Sequence, residues 1–193
     1  MAIVEINPMV LSGPWSDGRV LDYHTISSKW TGDPYRYDTK RTELGERLYR
    51  FKYSGAGDLL TDIVDTAEMF IRDWNPTVEC VVPAPPSLNR TSQPVVEITK
   101  ELAIRLGLAS YLDALTKVET TTQMKNVQEV AEREKLLEKA IQAGTADVRG
   151  KSILLVDDLI DSGATLRRAA RVLRDAGALS IYALVLTRTR RQQ

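Results

Sequence analysis

Soft-metal ligands are nearly missing from this 193-residue chain, which has one cysteine and one histidine. A lone Cys80 excludes an intrachain disulfide framework and a cysteine-based zinc ribbon. A lone His24 beside it cannot complete a zinc ligand set, so no zinc is expected. Net charge is missing too: 26 basic residues balance 26 acidic ones, and the whole chain gives no electrostatic case for nucleic acid. Long apolar runs are also absent. No stretch approaches the roughly 18 residues needed to cross a bilayer, and no basic-then-apolar leader is present. These absences predict a cytoplasmic protein with no membrane partner. Cys80 lies in the apolar run VECVVP and reads as a small buried packing residue.

What remains is an ordinary globular composition, 43% hydrophobic and 27% charged, with enough length for one domain and a small subdomain. Residues 1–45 are rich in Gly, Pro, Asp, Ser and aromatics. They read as an irregular or antiparallel N-terminal element, with a hairpin signal at Asp17-Gly18, and not as a parallel-sheet unit. From about residue 46 to 193 the texture is α/β. Leu60, Ile63, Val64, Ala67, Phe70, Ile71 and Trp74 recur at helical spacing, with Asn75-Pro76 as the stop. VECVVP reads as a buried strand. Pro94 opens a helix that Gly107 ends. A weak strand is expected near 111–115 and a charged helix over 128–142. Ile153–Val156 is a strand, Leu166 to Leu173 lies in a helix closed by Gly177, and SIYALVLT is a further strand. This alternation predicts a mainly parallel sheet with helices on both faces. Ligands collect at the carboxyl ends of such strands, where the loops 83–93 and 157–165 fall.

The run ILLVDDLIDSGATL (Ile153 to Leu166) is the most informative. A buried strand delivers Asp157 and Asp158 to the sheet edge. Adjacent strand residues point to opposite faces, so the pair cannot share a proton unless the backbone turns. Two such acids suit neighbouring hydroxyls, as in a ribose diol, or a divalent cation. Asp161-Ser162-Gly163-Ala164-Thr165 then leads into a helix, whose exposed amides form an anion site. Gly163 lets backbone approach a phosphate, and Ser162 and Thr165 offer hydroxyls. A diol grip followed by a phosphate loop describes a ribose 5-phosphate.

This string resembles the thirteen-residue signature of the type I phosphoribosyltransferases, which binds 5-phosphoribosyl 1-pyrophosphate (PRPP). The resemblance implies their fold, a mainly parallel sheet with a small N-terminal hood, and the transfer of phosphoribosyl to a nitrogen nucleophile. It implies that Asp157 and Asp158 take the ribose hydroxyls, and magnesium (Mg2+) carried with PRPP. Asp161 to Thr165 would cradle the 5-phosphate, with Asp161 as candidate general base. The loop VVPAPPSLNRTSQP resembles the family's pyrophosphate loop, which points to Ala84, Pro85, Pro86, Ser87 and Arg90. Arg90 supplies a planar donor fork, and the prolines permit a cis peptide.

Together with LYRFKYSGAGDLL and LTKVETTTQ, these segments resemble the ComF-type, competence-associated members over roughly residues 45–190. The cysteine count excludes the zinc ribbon common there, so residues 1–45 are read as the hood and 46–193 as the core domain. Lys117 and Gln123 fall in the relatives' mobile flap, so Lys117 reads either as a pyrophosphate ligand or as a solvated lysine; Lys52 has the same two readings. His24 is an acid, a base or a structural residue. Trp15, Trp30, Tyr23, Tyr35 and Tyr37 stack on a base or pack together. From residue 163 onward seven arginines (167, 168, 171, 174, 188, 190 and 191) face one acid, Asp175, a patch for nucleic acid or a solvated face. A homodimer is common among type I relatives. Two further readings stand beside transfer: a non-catalytic PRPP- or nucleotide-binding regulator or DNA-uptake accessory, and an ordinary purine or orotate salvage enzyme.

Overall fold

The computed structural model describes residues 3–33, 37–54, 57–85, 93–117 and 140–190. In chain order the elements are β1 (Met9–Val10), β2 (Asp17–Tyr23), β3 (Thr25–Trp30), β4 (Tyr37–Arg41), α1 (Glu43–Ser54), α2 (Gly57–Trp74) and β5 (Cys80–Pro83). They continue with α3 (Pro94–Leu106), β6 (Ala109–Ser110), β7 (Leu115–Lys117), β8 (Ile141–Ala143), β9 (Ser152–Ile160), α4 (Ala164–Asp175) and β10 (Ser180–Arg188).

Among the described residues the main sheet has six strands in the order β1-β2-β10-β9-β5-β6. All neighbours run parallel except the short edge strand β1. The central strands are covered on both sides and read as continuous apolar runs, as buried parallel strands do. Their alternation sorts the core into two layers. Val82, Ile153, Leu155, Ala183 and Val185 face α4 residues such as Leu166 and Leu173. Val81, Leu154, Val156, Leu184 and Leu186 face Leu48 of α1, Ile63 of α2 and Ile98 of α3. The fold is therefore α/β, with helices on both faces.

Several ends were legible. Asn75 takes a positive φ of 50° after α2. Pro94 occupies the first turn of α3, and Gly107, at φ 67°, donates its N–H to the last carbonyls.

Other expectations need correction. The N-terminal segment does contain a parallel-sheet strand: β2 lies beside β10 in parallel, with Val20 and Leu21 fully buried. Burying those two apolar residues in opposite layers outweighs the polar look of DGRVLDY. Strand β2, which precedes residue 45, thus belongs to the main sheet, while the β3–β4 and β7–β8 ribbons stand apart from it. Asp17-Gly18 is no hairpin turn, because β1 pairs with Arg19 and Val20 and the turn falls upstream. The strand near 111–115 splits into β6 and β7, and residues 141–143 pair with β7 as strand β8. The aromatics do not pack into one cluster: Trp30 and Tyr37 are exposed on the ribbon, while Trp15 donates its indole N–H to the Leu11 carbonyl. Tyr35 and the rest of the expected 128–142 helix lie outside the described residues. Among the described residues no peptide bond is cis, and no helix is long and apolar enough to cross a membrane.

Candidate functional site

Strand β9 runs further than its apolar core. It stays paired with β10 through Leu159–Thr187 and Ile160–Arg188, so both acids sit in extended strand and not in a loop. Asp157 therefore faces the α4 side and Asp158 the α1 side. The backbone N–H of Asp158 donates to Asp157 Oδ1 at 2.9 Å. Burial, with the Asp158 charge alongside, pushes the Asp157 carboxyl above the usual carboxylate range. Asp158 Oδ2 takes the ammonium of Lys52 at 2.7 Å, with both side chains only 16% exposed.

The turn after β9 is short. Gly163 adopts φ 75° and ψ 7°, the left-handed region, and stands at the N-cap of α4 with no side-chain cap. No acid occupies the first turn of α4, so its amides and dipole are not already answered by a carboxylate. Ser162 Oγ accepts from the Ala164 N–H at 3.3 Å. Asp161 Oδ1 accepts from Thr189 Oγ1 at 2.7 Å, which ties the acid to the end of β10. Thr165 lies on the first turn of α4.

The β5 loop begins at the same edge. Pro83 pairs with Val156, and the Ala84 N–H donates to the Val156 carbonyl at 2.7 Å. This brings buried Ala84 and Pro85 beside Asp157. Pro86, Ser87 and Arg90 lie outside the described residues, as does Gln123. Lys117 ends strand β7, paired with Ile141, and burial lowers its ammonium below the ordinary lysine range.

Two cations here were undervalued by sequence reasoning. Lys52 answers Asp158 across the fold, a contact that no local spacing reveals. Arg167, read only as part of a basic stripe, donates from Nη1 to the Ser162 carbonyl at 3.0 Å and would stand 3.1 Å from a Cβ on Gly163. Other arginines of that stripe are also committed to the protein. Arg174 donates to the Pro14 carbonyl at 2.8 Å, and Arg190 stacks over Tyr23 at 4.5 Å.

His24 belongs to the same edge. Thr187 Oγ1 donates to the Asp158 carbonyl at 3.1 Å, so its hydroxyl accepts from His24 Nδ1 at 3.2 Å. That fixes the tautomer with Nδ1 protonated. Burial pushes the imidazole down to about 4, helped by the charges of Lys52 and Arg41. An unfolded histidine titrates near 6.5. Between those values the folded state holds fewer protons than the unfolded one. The contribution to stability is therefore full above about 6.5 and is lost as pH falls toward 4. Since the ring is partly exposed, solvent screening limits the effect to about 1–2 kcal/mol. His24→Gln is expected to flatten this acid slope in urea unfolding at pH 7 and pH 5. An unchanged difference between the two pH values would show that the ring does not feel its burial.

The two carboxylates are hard oxygen donors, and among the described residues no group of three or more ligating side chains gathers anywhere. Hard oxygen donors of this kind are what magnesium takes. Cys80 is buried, and burial raises its thiol to about 11, which leaves it a packing residue.

Comparison with known proteins adds to this geometry. A stretch of 37 residues is 57% identical to the ribose-phosphate pyrophosphokinase of Methanopyrus kandleri, over 19% of this chain and 13% of that protein. Another of 52 residues is 44% identical to the ribose-phosphate pyrophosphokinase of Wolinella succinogenes, over 27% of this chain and 17% of that protein. The matched stretches thus span less than a fifth of these relatives. The glutamine PRPP amidotransferase from B. subtilis superposes with a TM-score of 0.49 at 22% identity, over 66% of this chain and 26% of that one. The hypoxanthine-guanine phosphoribosyltransferase from Bacillus anthracis gives 0.45 at 18% identity, over 67% and 68% of the two chains. The family described as phosphoribosyl transferase domain matches residues 95–193, about half of the chain, from α3 through α4 and β10. The chain belongs to the phosphoribosyl transferase domain family.

Proposed function

We propose that this protein binds PRPP with magnesium and transfers its phosphoribosyl group to a nitrogen nucleophile, releasing pyrophosphate. The observation that carries the reading is the β9–α4 junction. Two acids in extended strand are followed by a left-handed glycine and a helix start free of acids. Asp157 and Asp158 accept hydrogen bonds from the 2- and 3-hydroxyls. The amides of residues 161–165, with the hydroxyls of Ser162 and Thr165, hold the 5-phosphate. Ala84 and Pro85, with Pro86, Ser87 and Arg90, border the pyrophosphate, and Lys117 is a further candidate there. Residues 1–45, which include the β3–β4 ribbon, act as the hood over the acceptor.

Magnesium, when bound, supplies positive charge to the departing pyrophosphate. The chain's own residues fix the ribose so that its anomeric carbon faces the acceptor. A carbon–nitrogen bond forms on one side while the carbon–oxygen bond to pyrophosphate breaks on the other, and the electron pair leaves with pyrophosphate. Asp161 is the candidate group for the acceptor's proton. Positioning and electrostatics account for the acceleration. The name of the pyrophosphokinase relatives, which contains ribose-phosphate, agrees with a ribose phosphate ligand.

The test is to incubate the protein with magnesium, PRPP and a panel of ring nitrogen compounds and amines, and to follow pyrophosphate. Acceptor-dependent release is expected. Binding without release from any acceptor would favour the non-catalytic binder of the ComF type. Rapid turnover with one simple purine or with orotate would favour a salvage enzyme. Failure to bind PRPP would end the proposal.

A further inference from the structure

The Lys52–Asp158 pair joins the end of α1 to the acid pair, and the proposed transfer leaves it without a role. We propose that Lys52 is the donor site's own counter-charge, a positioning residue that holds Asp158 for a ribose hydroxyl and lets the acid pair take a ribose 5-phosphate without a divalent cation. This rests on reading Asp157 and Asp158 as the ribose grip.

Three features argue for it. The contact is not a surface lysine curled onto a nearby acid, since the two residues lie far apart in the chain and each side chain is 16% exposed. Strand alternation sends Asp158 toward α1, where Lys52 waits.

The lysine is also held in place by backbone. Gly45, Leu48 and Lys52 share one face of α1. Leu48 is fully buried. Gly45 packs so tightly on the His24 carbonyl oxygen that a Cβ there would collide with it. Thr42 Oγ1 donates to the Tyr23 carbonyl at 2.6 Å and accepts the Gly45 N–H at 3.0 Å, which fastens the start of α1 to the end of β2.

The third feature is charge. Adjacent carboxylates repel a sugar phosphate, and a divalent cation is one remedy. An ammonium on Oδ2 of Asp158 is another, already built in. It holds the carboxylate in place while Oδ1 accepts a hydroxyl.

The experiment is calorimetric titration of the full chain with ribose 5-phosphate in EDTA, and with PRPP in magnesium. Wild type is compared with Lys52→Met and Lys52→Arg, with thermal melting to confirm folding. Wild type is expected to bind ribose 5-phosphate in EDTA. Lys52→Met should weaken that binding by about tenfold or more, the scale of one lost charge-assisted contact, and magnesium should restore part of it. Lys52→Arg should stay within about threefold of wild type, because it keeps the charge. A purely structural role would not make the loss depend on metal. If Lys52→Met does not fold, Lys52→Gln carries the same comparison. Equal affinity of wild type and Lys52→Met in EDTA overturns the proposal, as does a wild type that binds PRPP with magnesium but not ribose 5-phosphate without it. A wild type that binds neither ligand overturns the ribose-grip reading as well.

Discussion

Asp157→Asn combined with Asp158→Asn is expected to reduce PRPP affinity by about 100-fold or more. A hydroxyl bond to an ionised carboxylate contributes about 1.5–3 kcal/mol, and one to the neutral form that burial favours at Asp157 about 0.5–1.5 kcal/mol. Asparagine keeps the shape but offers a weaker, neutral acceptor. The double variant is not expected to be neutral for stability. From sequence alone, strand-end carboxylates look dispensable for packing. The structure instead has Asp158 answering Lys52 at 2.7 Å in a site little exposed to solvent. Removing the acid leaves that ammonium without its partner, at a cost of about 1–3 kcal/mol, below the range for fully buried pairs because lysine can swing outward. Adding Lys52→Met should recover much of this stability without recovering the ligand. Calorimetry and urea unfolding on the same samples separate the two effects. Normal PRPP affinity in the double variant would refute the site assignment.

The second large effect is expected at Gly45. Inside a helix alanine is favoured over glycine by about 1 kcal/mol, so at an unobstructed position Gly45→Ala would stabilise. Here the new Cβ would run into the His24 carbonyl oxygen. That carbonyl cannot easily retreat, because the His24 N–H donates to the Arg188 carbonyl at 2.8 Å at the end of the main sheet. Overpacking of this kind costs about 1–3 kcal/mol, so the sign reverses and the protein is destabilised. Since α1 must lift, Lys52 should lose its register with Asp158. Gly45→Ala and Lys52→Met should then be non-additive, with an interaction of about 0.5–3 kcal/mol in a urea-unfolding cycle. A Gly45→Ala variant at least as stable as wild type would show that the close approach is not rigid.

What could be read ahead of the structure followed from local rules. Four apolar residues before Asp157 announce a central strand. Proline at the first turn of α3 and glycine after it mark both its ends, and Gly163 marks a turn before α4. What could not be read depends on partners far away in the chain. Strand β9 continues past the acids because β10 is long enough to pair with Leu159 and Ile160. Asp17, Arg19 and Asp22 disguise β2, whose identity comes from Val20 and Leu21 meeting the two core layers. Lys52 read either as a pyrophosphate ligand or as a solvated lysine, and its pairing with Asp158 depends on the strand that α1 covers. His24 became legible as a neutral ring only when burial and its Thr187 contact were known.

The pairing of β2 with β10 has a consequence for biosynthesis. On the ribosome β2 emerges early and β10 is the last described strand to follow, so β2 waits with an unpaired edge while the other elements form. Thr187, which links His24 to Asp158, arrives on that same late strand. A nascent chain halted before β10 would carry the acids but lack the brace behind them. Competence to grip a ligand would then arise at the closing step of assembly, and a stalled fragment would expose its sheet edge to chaperones or aggregation without sequestering metabolite.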